Sequence, residues 1–191
     1  MLEYTGGEIR PKTDITFPEK ILIDTAISGI KNLGNFKGHT ELTDVIILDD
    51  TAYTILRSSC FASCASLKTF ICSDTLQEIW GSSFYNCTSL TEIDLKNVKK
   101  IGGQTFYNCT GLKTIYLSKV LNDISDTAFY KCTRLESVVV EKNFATDLNI
   151  ADSKVLTAES LHALIENLAN LTGADSKTLT IGTTNIAKLD E

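Results

Sequence analysis

Cysteines are the residues of this 191-residue sequence whose type and spacing could do chemistry. Four of the six recur at nearly fixed intervals: Cys64, Cys87, Cys109 and Cys132. Regularly spaced thiols could hold a metal ion, form disulfides, or pack as small hydrophobic side chains. The residues around them must decide between these three roles.

The histidines and the short motifs add little evidence for catalysis. His162 and Glu166 are spaced as i and i+4, which suits a metal, but no third ligand follows and a solvated helix face is the better interpretation. The sequence has no G-x-S-x-G motif, no P-loop and no dinucleotide-binding fingerprint. We therefore expect no catalytic residue, no metal and no cofactor.

An internal repeat organises the middle of the chain. Four phenylalanines mark its copies at intervals of 23, 22 and 23 residues: Phe61, Phe84, Phe106 and Phe129. In every copy a cysteine follows after three residues, a leucine after six, and two further apolar residues after that. A degenerate copy starts at Phe36 and has His39 in the cysteine position. Agreement at six positions in five copies indicates a true repeat.

Each copy predicts a short strand, a polar turn, a second apolar stretch and a tight corner at the cysteine. A unit of this length cannot bury its apolar face alone, so neighbouring copies must stack into a continuous core. Their strands then lie side by side in a parallel sheet. We predict an α/β leucine-rich-repeat solenoid of about five repeats over residues 36–141.

The residue pattern of the repeat resembles that of a known family. FYNCTSLTEIDL, followed by KKIGGQTF, is similar to the BspA-type leucine-rich repeats of bacterial surface proteins, which also occur in some protists. The resemblance covers about Phe36–Glu141. Two departures stand out, because the first copy is irregular and the proline common after the family's strand is missing. The resemblance implies the repeat fold and a role in recognition or adhesion.

The stacking of the repeats also helps to decide the role of the cysteines. Cys60 and Cys64 have metal-ligand spacing, but a stack supplies one corner cysteine per layer and a tetrahedral zinc site needs four converging ligands. Corner Cα atoms roughly 5 Å apart in successive layers would still permit disulfides, so that alternative stays open. We interpret Cys64, Cys87, Cys109 and Cys132, here called the cysteine ladder, as reduced thiols that build the fold.

The two ends of the chain differ from the repeats. Residues 1–35 hold both prolines and the apolar segment KILIDTAI, which we interpret as an N-terminal cap or docking segment. In LTAESLHALIENLANLTG apolar residues recur at helical spacing, with Thr157 as N-cap and Gly173 as C-cap. KTLTIG predicts a last strand, so residues 142–191 form a helix-strand cap. Its close, TLTIGTTNIAKL, resembles the ends of repeat proteins from gut bacteria and their prophages.

Composition and charge narrow the partners. The formal net charge of −6 comes with no large basic block, which argues against nucleic acids. No apolar run reaches the ~18 residues of a membrane span, so we expect no membrane insertion. The start, MLEYTGGEIRPKTD, is too polar for a secretory signal peptide. From the family resemblance we nevertheless expect an extracellular, cell-surface or virion-associated protein.

The strand residues that point away from the core form the candidate binding site. The central outward column, one residue per strand, is Ile46, Ile71, Asp94, Tyr116 and Val139. Four of these five are apolar or aromatic on a face that water should reach, and Glu92 and Lys96 stand on either side of the column. An exposed apolar strip with a polar rim is typical of a partner site, although β-propensity alone also favours such residues on strands.

These observations favour a non-catalytic recognition or adhesion module. It would bind a protein or glycan on a bacterial or host surface through the outward column, either at a cell surface or as a (pro)phage tail or fibre component. The alternative is a structural spacer, or a subunit of a larger assembly in which a partner chain covers the sheet.

Overall fold

The computed structural model describes residues 36–47, 54–72, 74–170 and 175–190, together with the backbone of four N-terminal strands. In chain order the elements are β1 (Leu2–Thr5), β2 (Glu8–Pro11), β3 (Lys20–Ile23), β4 (Asn32–Leu33), β5 (Asp44–Ile47), β6 (Ile55–Leu56), β7 (Thr69–Ile71), β8 (Glu78–Ile79), β9 (Glu92–Leu95), β10 (Lys100–Ile101), β11 (Thr114–Leu117), β12 (Asp123–Ile124), β13 (Ser137–Val140), β14 (Leu148–Asn149), α1 (Ala158–Glu166), β15 (Leu179–Thr180) and α2 (Thr183–Ile186), with a 3₁₀ turn at Ala187–Asp190.

One strand from each repeat builds a front wall. β5 and β7 lie in one three-stranded parallel sheet with β3, and β9, β11 and β13 lie in another. Equivalent residues of successive repeats are paired in register. Ile115, for example, lies opposite Ile93 on one side and Val138 on the other. This register puts the same side of every strand on the core, and it confirms the predicted parallel-sheet solenoid.

The second apolar stretch of each repeat builds a rear wall. β6, β8, β10 and β12 are two-residue strands in a four-stranded parallel sheet. Leu56, Ile79 and Ile101 point inward from it and are buried. Within the described repeats both walls are therefore strands joined by turns, and the helices belong to the C-terminal end.

A stack of phenylalanines fills the space between the walls. Neighbouring rings of the column are nearly parallel, with centroids 5.3 to 5.7 Å apart: Phe36, Phe61, Phe84, Phe106 and Phe129. All five are buried, and so are the repeat leucines that follow them. Burial of a phenylalanine or leucine stabilises the fold by about 1.5–3 kcal/mol each, so the repeat positions carry most of the core.

The C-terminal helix covers the last strand of the front wall. Thr157 is its N-cap, as predicted, because its side chain accepts a hydrogen bond from the Ser160 N–H at 3.1 Å. The Ser160 hydroxyl accepts in turn from the Val138 N–H of β13 at 2.9 Å. α1 therefore satisfies the open edge of β13, and it buries Leu161 and Leu164 in the core.

The predicted end of this helix was wrong. α1 ends at Glu166, with Asn167 as C-cap, and does not reach Gly173, which lies outside the described residues. The Asn167 side chain donates to the Ala163 carbonyl at 2.9 Å, and Leu168 then forms a parallel bridge with Phe144. The backbone must leave the helix to make that bridge, which the apolar spacing of the sequence does not reveal.

The strand predicted from KTLTIG is confirmed. β15 pairs in parallel with β14, and the short α2 follows it. At the other end of the chain, β3 extends the front wall by pairing with β5 in parallel, with Ile21 opposite Val45. Most of residues 1–35 lies outside the described part, so their role as a cap or docking segment stays a prediction, as do the domain limits at residues 35 and 141. No helix in the described part of the chain has the length and apolar character needed to cross a bilayer.

Candidate recognition face

The outward column lies on the water-facing side of the front wall. Ile71, Tyr116 and Val139 are 50%, 40% and 43% exposed, although each is a large apolar or aromatic residue. Asp94 is also exposed, and Ile46 is half-buried. Pairing aligns Asp94 with Tyr116 and Tyr116 with Val139 across neighbouring strands, so these side chains are direct neighbours.

The two flanking residues, Glu92 and Lys96, lie beside the column, because each is two residues away from Asp94 along the chain. Glu92, at the start of β9, is exposed and pairs in register with Thr114 of β11. Lys96 follows β9, and its ammonium lies 3.1 Å from Asp74 Oδ1. The hydrogen bond to Asp74 and its charge raise the pKa of Lys96. Lys96 is therefore held by Asp74 at the border of the column.

The front wall is interrupted between β7 and β9. The described residues of the two strands form no hydrogen-bonded ladder, although every other pair of successive front strands does. Two other hydrogen bonds form here. The Lys96 N–H donates to Asp94 Oδ1 at 3.0 Å, and the Cys72 S–H donates to the Asp94 main-chain carbonyl with 3.6 Å between sulfur and oxygen. Local side-chain hydrogen bonds of this kind compete with strand pairing.

A cleft of about 380 Å³ opens at this interruption. Its mouth is formed by Ile71, Glu92, Asp94, Lys96 and Tyr116, and its floor by core residues of the two repeats. A smaller hollow of about 230 Å³ lies on the other side of Tyr116 and shares three of these residues. The sequence did not predict the cleft. Two signals could have indicated it, namely the charged residue at position 94 of an otherwise apolar column and the cysteine at position 72 where other copies have leucine, isoleucine or valine.

The cysteine ladder lies in the corners, away from this cleft. Each thiol donates to the carbonyl of the phenylalanine one layer back, at 3.1 Å in all four cases: Cys64 to Phe36, Cys87 to Phe61, Cys109 to Phe84 and Cys132 to Phe106. None of the six cysteines forms a disulfide in the structure. The pairing partner of each corner thiol is thus a backbone carbonyl and not another sulfur.

Burial keeps these thiols protonated. Desolvation raises the pKa of Cys64 and Cys132 to about 12 and that of Cys72 to about 11, and it raises the pKa of Cys87 and Cys109 well above the ordinary value. The thiolate is the nucleophilic and metal-binding form of cysteine. The ladder therefore fits a structural role.

Neither histidine takes part in a cluster that could hold a metal. His39 follows the same backbone corner as the cysteines, but its side chain is half-exposed and lies 3.3 Å from Glu41, so it does not replace a buried thiol. His162 is exposed on α1 and contacts the Leu189 carbonyl at 3.2 Å. The described residues contain no group of three or more potential metal ligands.

Comparison with known proteins agrees with this architecture. A family model described as the BspA type leucine-rich repeat region matches residues 31–150 in six copies. A leucine-rich repeat protein of T. pallidum is 22% identical, with a TM-score of 0.66 over 82% of this chain and 77% of that one. A leucine-rich cell surface protein of Faecalibacterium prausnitzii is 20% identical, with a TM-score of 0.63 over 73% of this chain and 37% of that one. At such identities the two structures show a shared fold. No curated protein matches the chain.

Proposed function

The chain belongs to the BspA type leucine-rich repeat family, and we propose that it is a non-catalytic recognition module that binds a protein on a bacterial or host surface. Leucine-rich repeats generally serve as protein-interaction modules, and the sheet of stacked repeats supplies an extended binding surface. The binding surface that we assign is the outward column with its flanking residues Glu92 and Lys96.

One observation carries the proposal. Ile71, Tyr116 and Val139 keep two fifths to one half of their surface in water, although they lie one per strand on the same face. Their exposure leaves apolar area that a partner could bury, at about 25 cal/mol per Å². Charged residues stand next to this apolar strip, as in interfaces that have an apolar centre and a polar rim.

The chemistry of the column favours a protein over a glycan as the partner. Its apolar members are mostly aliphatic, and aliphatic surface is complementary to the side chains of another protein. Tyr116 is the one aromatic ring in the column, whereas sugar recognition relies on aromatic faces combined with many polar groups. A glycan partner is therefore kept as an outcome of the test.

The family and one structural neighbour support the proposed setting. One structurally similar protein is described as a cell surface protein, which supports a place outside the cell for this chain as well. A component of a (pro)phage tail or fibre would use the same face on the same kind of target, and the identity of the captured partner distinguishes the two settings.

A capture experiment tests the proposal. The native chain and an Ile71→Glu/Tyr116→Glu variant are immobilised and exposed to extracts of bacterial surfaces and host-cell surfaces. Two buried carboxylates at the centre of an interface should weaken binding more than tenfold, because central contacts are each worth about 2 kcal/mol or more. Mass spectrometry and carbohydrate analysis identify what is retained.

A matched variant controls for added charge. Val155→Glu/Ile186→Glu also places two glutamates on exposed apolar positions, but outside the front wall. Retention of a protein by the native chain and this control, and its loss from the column variant, supports the proposal. Retention of a polysaccharide alone assigns a glycan partner, and equal retention by all three chains removes the column from the binding site. If nothing is retained, a spacer or a subunit whose sheet is covered within an assembly becomes the better interpretation.

A further inference from the structure

We propose that the cleft between β7 and β9 receives an arginine side chain of the partner protein. This refines the proposed function and rests on it, because the cleft opens in the middle of the outward column. The cleft has three features that suit a guanidinium group, namely an excess of carboxylates over ammonium groups, an aromatic ring, and an apolar wall for the aliphatic stem.

The charge around the cleft favours a cation. Three carboxylates line it, from Asp74, Glu92 and Asp94, against the two ammonium groups of Lys68 and Lys96. Lys96 is already paired with Asp74 at 3.1 Å, so these two charges largely cancel. The three carboxylates exceed the two ammonium groups by one, so the lining residues carry a net negative charge.

Both of these carboxylates can accept further hydrogen bonds. Among the described residues Glu92 forms no ion pair and no side-chain hydrogen bond. Asp94 accepts one bond, from the Lys96 N–H to Oδ1 at 3.0 Å. An ionised carboxylate has about four acceptor positions, so Asp94 keeps capacity for a donor that arrives from outside.

The strand edges at the cleft offer backbone acceptors as well. The Thr114 N–H donates to the Thr91 carbonyl, toward β11, so the alternate residues Glu92 and Asp94 turn their backbone groups toward β7. No ladder with β7 uses these groups, although the Cys72 thiol donates a long hydrogen bond to the Asp94 carbonyl at 3.6 Å. A ligand with several donors could therefore bind main-chain oxygens together with the carboxylates.

The walls of the mouth suit an arginine better than a lysine. Ile71 and Tyr116 are half-exposed on opposite sides of Asp94, and both line the cleft. A planar guanidinium can stack on a tyrosine ring and bind a carboxylate with two parallel hydrogen bonds, whereas an ammonium does neither. The acidic net charge of the chain adds a favourable long-range field for a basic partner.

Nuclear magnetic resonance titration with defined peptides tests the inference. Acetyl-Gly-Arg-Gly-amide is added to the isotope-labelled full chain, and acetyl-Gly-citrulline-Gly-amide serves as a neutral analogue of the same shape. We expect the chemical shifts of the backbone amides of residues 69–72 and 92–96 to change and to reach a plateau as the arginine peptide is added. The citrulline peptide should bind at least about tenfold more weakly, because charge-assisted hydrogen bonds are lost. The corresponding lysine peptide should also bind more weakly than the arginine peptide.

Two variants make the test specific. Glu92→Gln/Asp94→Asn removes both charges but keeps an amide oxygen that can accept the Lys96 N–H, so the fold should be retained. Asp126→Asn/Glu166→Gln removes two charges from exposed positions elsewhere. The first variant should lose about tenfold in affinity for the arginine peptide, and the second should bind like the native chain.

The outcomes separate this inference from the function on which it rests. Equal binding of the arginine, lysine and citrulline peptides, or shifts outside the cleft, would overturn it. It also fails if both variants bind the arginine peptide alike. A third outcome is that the Glu92→Gln/Asp94→Asn variant still captures a protein whereas the Ile71→Glu/Tyr116→Glu variant does not. The column then binds a protein, but the cleft does not bind an arginine side chain of that protein.

Discussion

The corner cysteines show how one residue type meets two demands at once. Each corner needs a small apolar side chain, because its position is fully buried, and it needs a donor, because a phenylalanine carbonyl of the preceding layer faces it. Alanine would meet the first demand but would remove the thiol's bond to a carbonyl that also accepts the backbone N–H at the corner of its own layer, at a cost of about 0.5–1.5 kcal/mol. Serine would donate but bring a more polar group into the core. Cysteine is a small hydrophobe with a weak donor and fits both.

Thiol reactivity should follow this arrangement. With a pKa of about 11, Cys72 has roughly one thiolate per thousand thiols at pH 8, against about a quarter for an unperturbed cysteine. We expect iodoacetamide to modify Cys72 slowly in the native protein, and Cys64, Cys87, Cys109 and Cys132 more slowly still, because they are more deeply buried. Peptide mass spectrometry at several labelling times gives the order.

Labelling in denaturant provides the control. All six cysteines should react under non-reducing conditions in strong guanidinium chloride, since none of them forms a disulfide. A smaller number would mean that disulfides form after all. Native-state labelling of a corner cysteine as fast as Cys72 would contradict the protected, hydrogen-bonded ladder.

At the scale of the strands and turns, the spacing between layers is set by close backbone contacts. A Cβ atom added at Gly102 would lie 2.6 Å from the Gly81 nitrogen and 3.0 Å from the Trp80 carbonyl carbon, both of which are main-chain atoms. One added at Gly103 would meet only side-chain oxygens, at 3.4 Å. The two neighbouring glycines therefore differ in what they permit, although the sequence presents them as an equivalent pair.

This difference between the two glycines predicts that their replacement by alanine will change the stability of the protein by unequal amounts. Gly102→Ala should lower the free energy of unfolding by about 1–3 kcal/mol, because the rear-wall turns of two layers must move apart. Gly103→Ala, the matched control, should change it by less than about 0.5 kcal/mol. Urea denaturation followed by circular dichroism measures both. Similar losses for the two variants would show that the layers are not in close contact at Gly102.

The elements also show what a sequence with repeats can and cannot reveal. The core positions were predictable, because each one recurs in several copies and a shared demand appears as a shared residue type, as at Phe84 and Leu90. The cleft was not, because it depends on Asp94 and Cys72, which depart from the repeat in one copy only. The helix end at Glu166 was missed for a similar reason, since a long-range bridge between Phe144 and Leu168 overrides local periodicity.

For the molecule as a whole, stacking solves the problem of the core but creates one at each end of the stack. In the front wall β5 and β11 are paired on both sides, whereas β13 ends the wall with a strand on one side only. An uncovered edge of this kind can pair with another chain. The C-terminal segment prevents this, because Ser160 accepts the Val138 N–H and the Thr157 N–H donates to the Glu136 carbonyl.

Removal of this segment should therefore convert a covered edge into an associating one. A chain truncated after Glu141 exposes β13 and the core residues that Leu161 and Leu164 cover, so we expect it to form larger species at concentrations where the full chain does not. Size-exclusion chromatography with light scattering measures the masses of both. Full-length Ile165→Lys, which changes an exposed residue of α1 but keeps the cap, should behave like the native chain. A truncated chain with the same mass distribution and melting temperature as the full chain would mean that β13 needs no cover, and the helix would then be an appendage to the solenoid and not its cap.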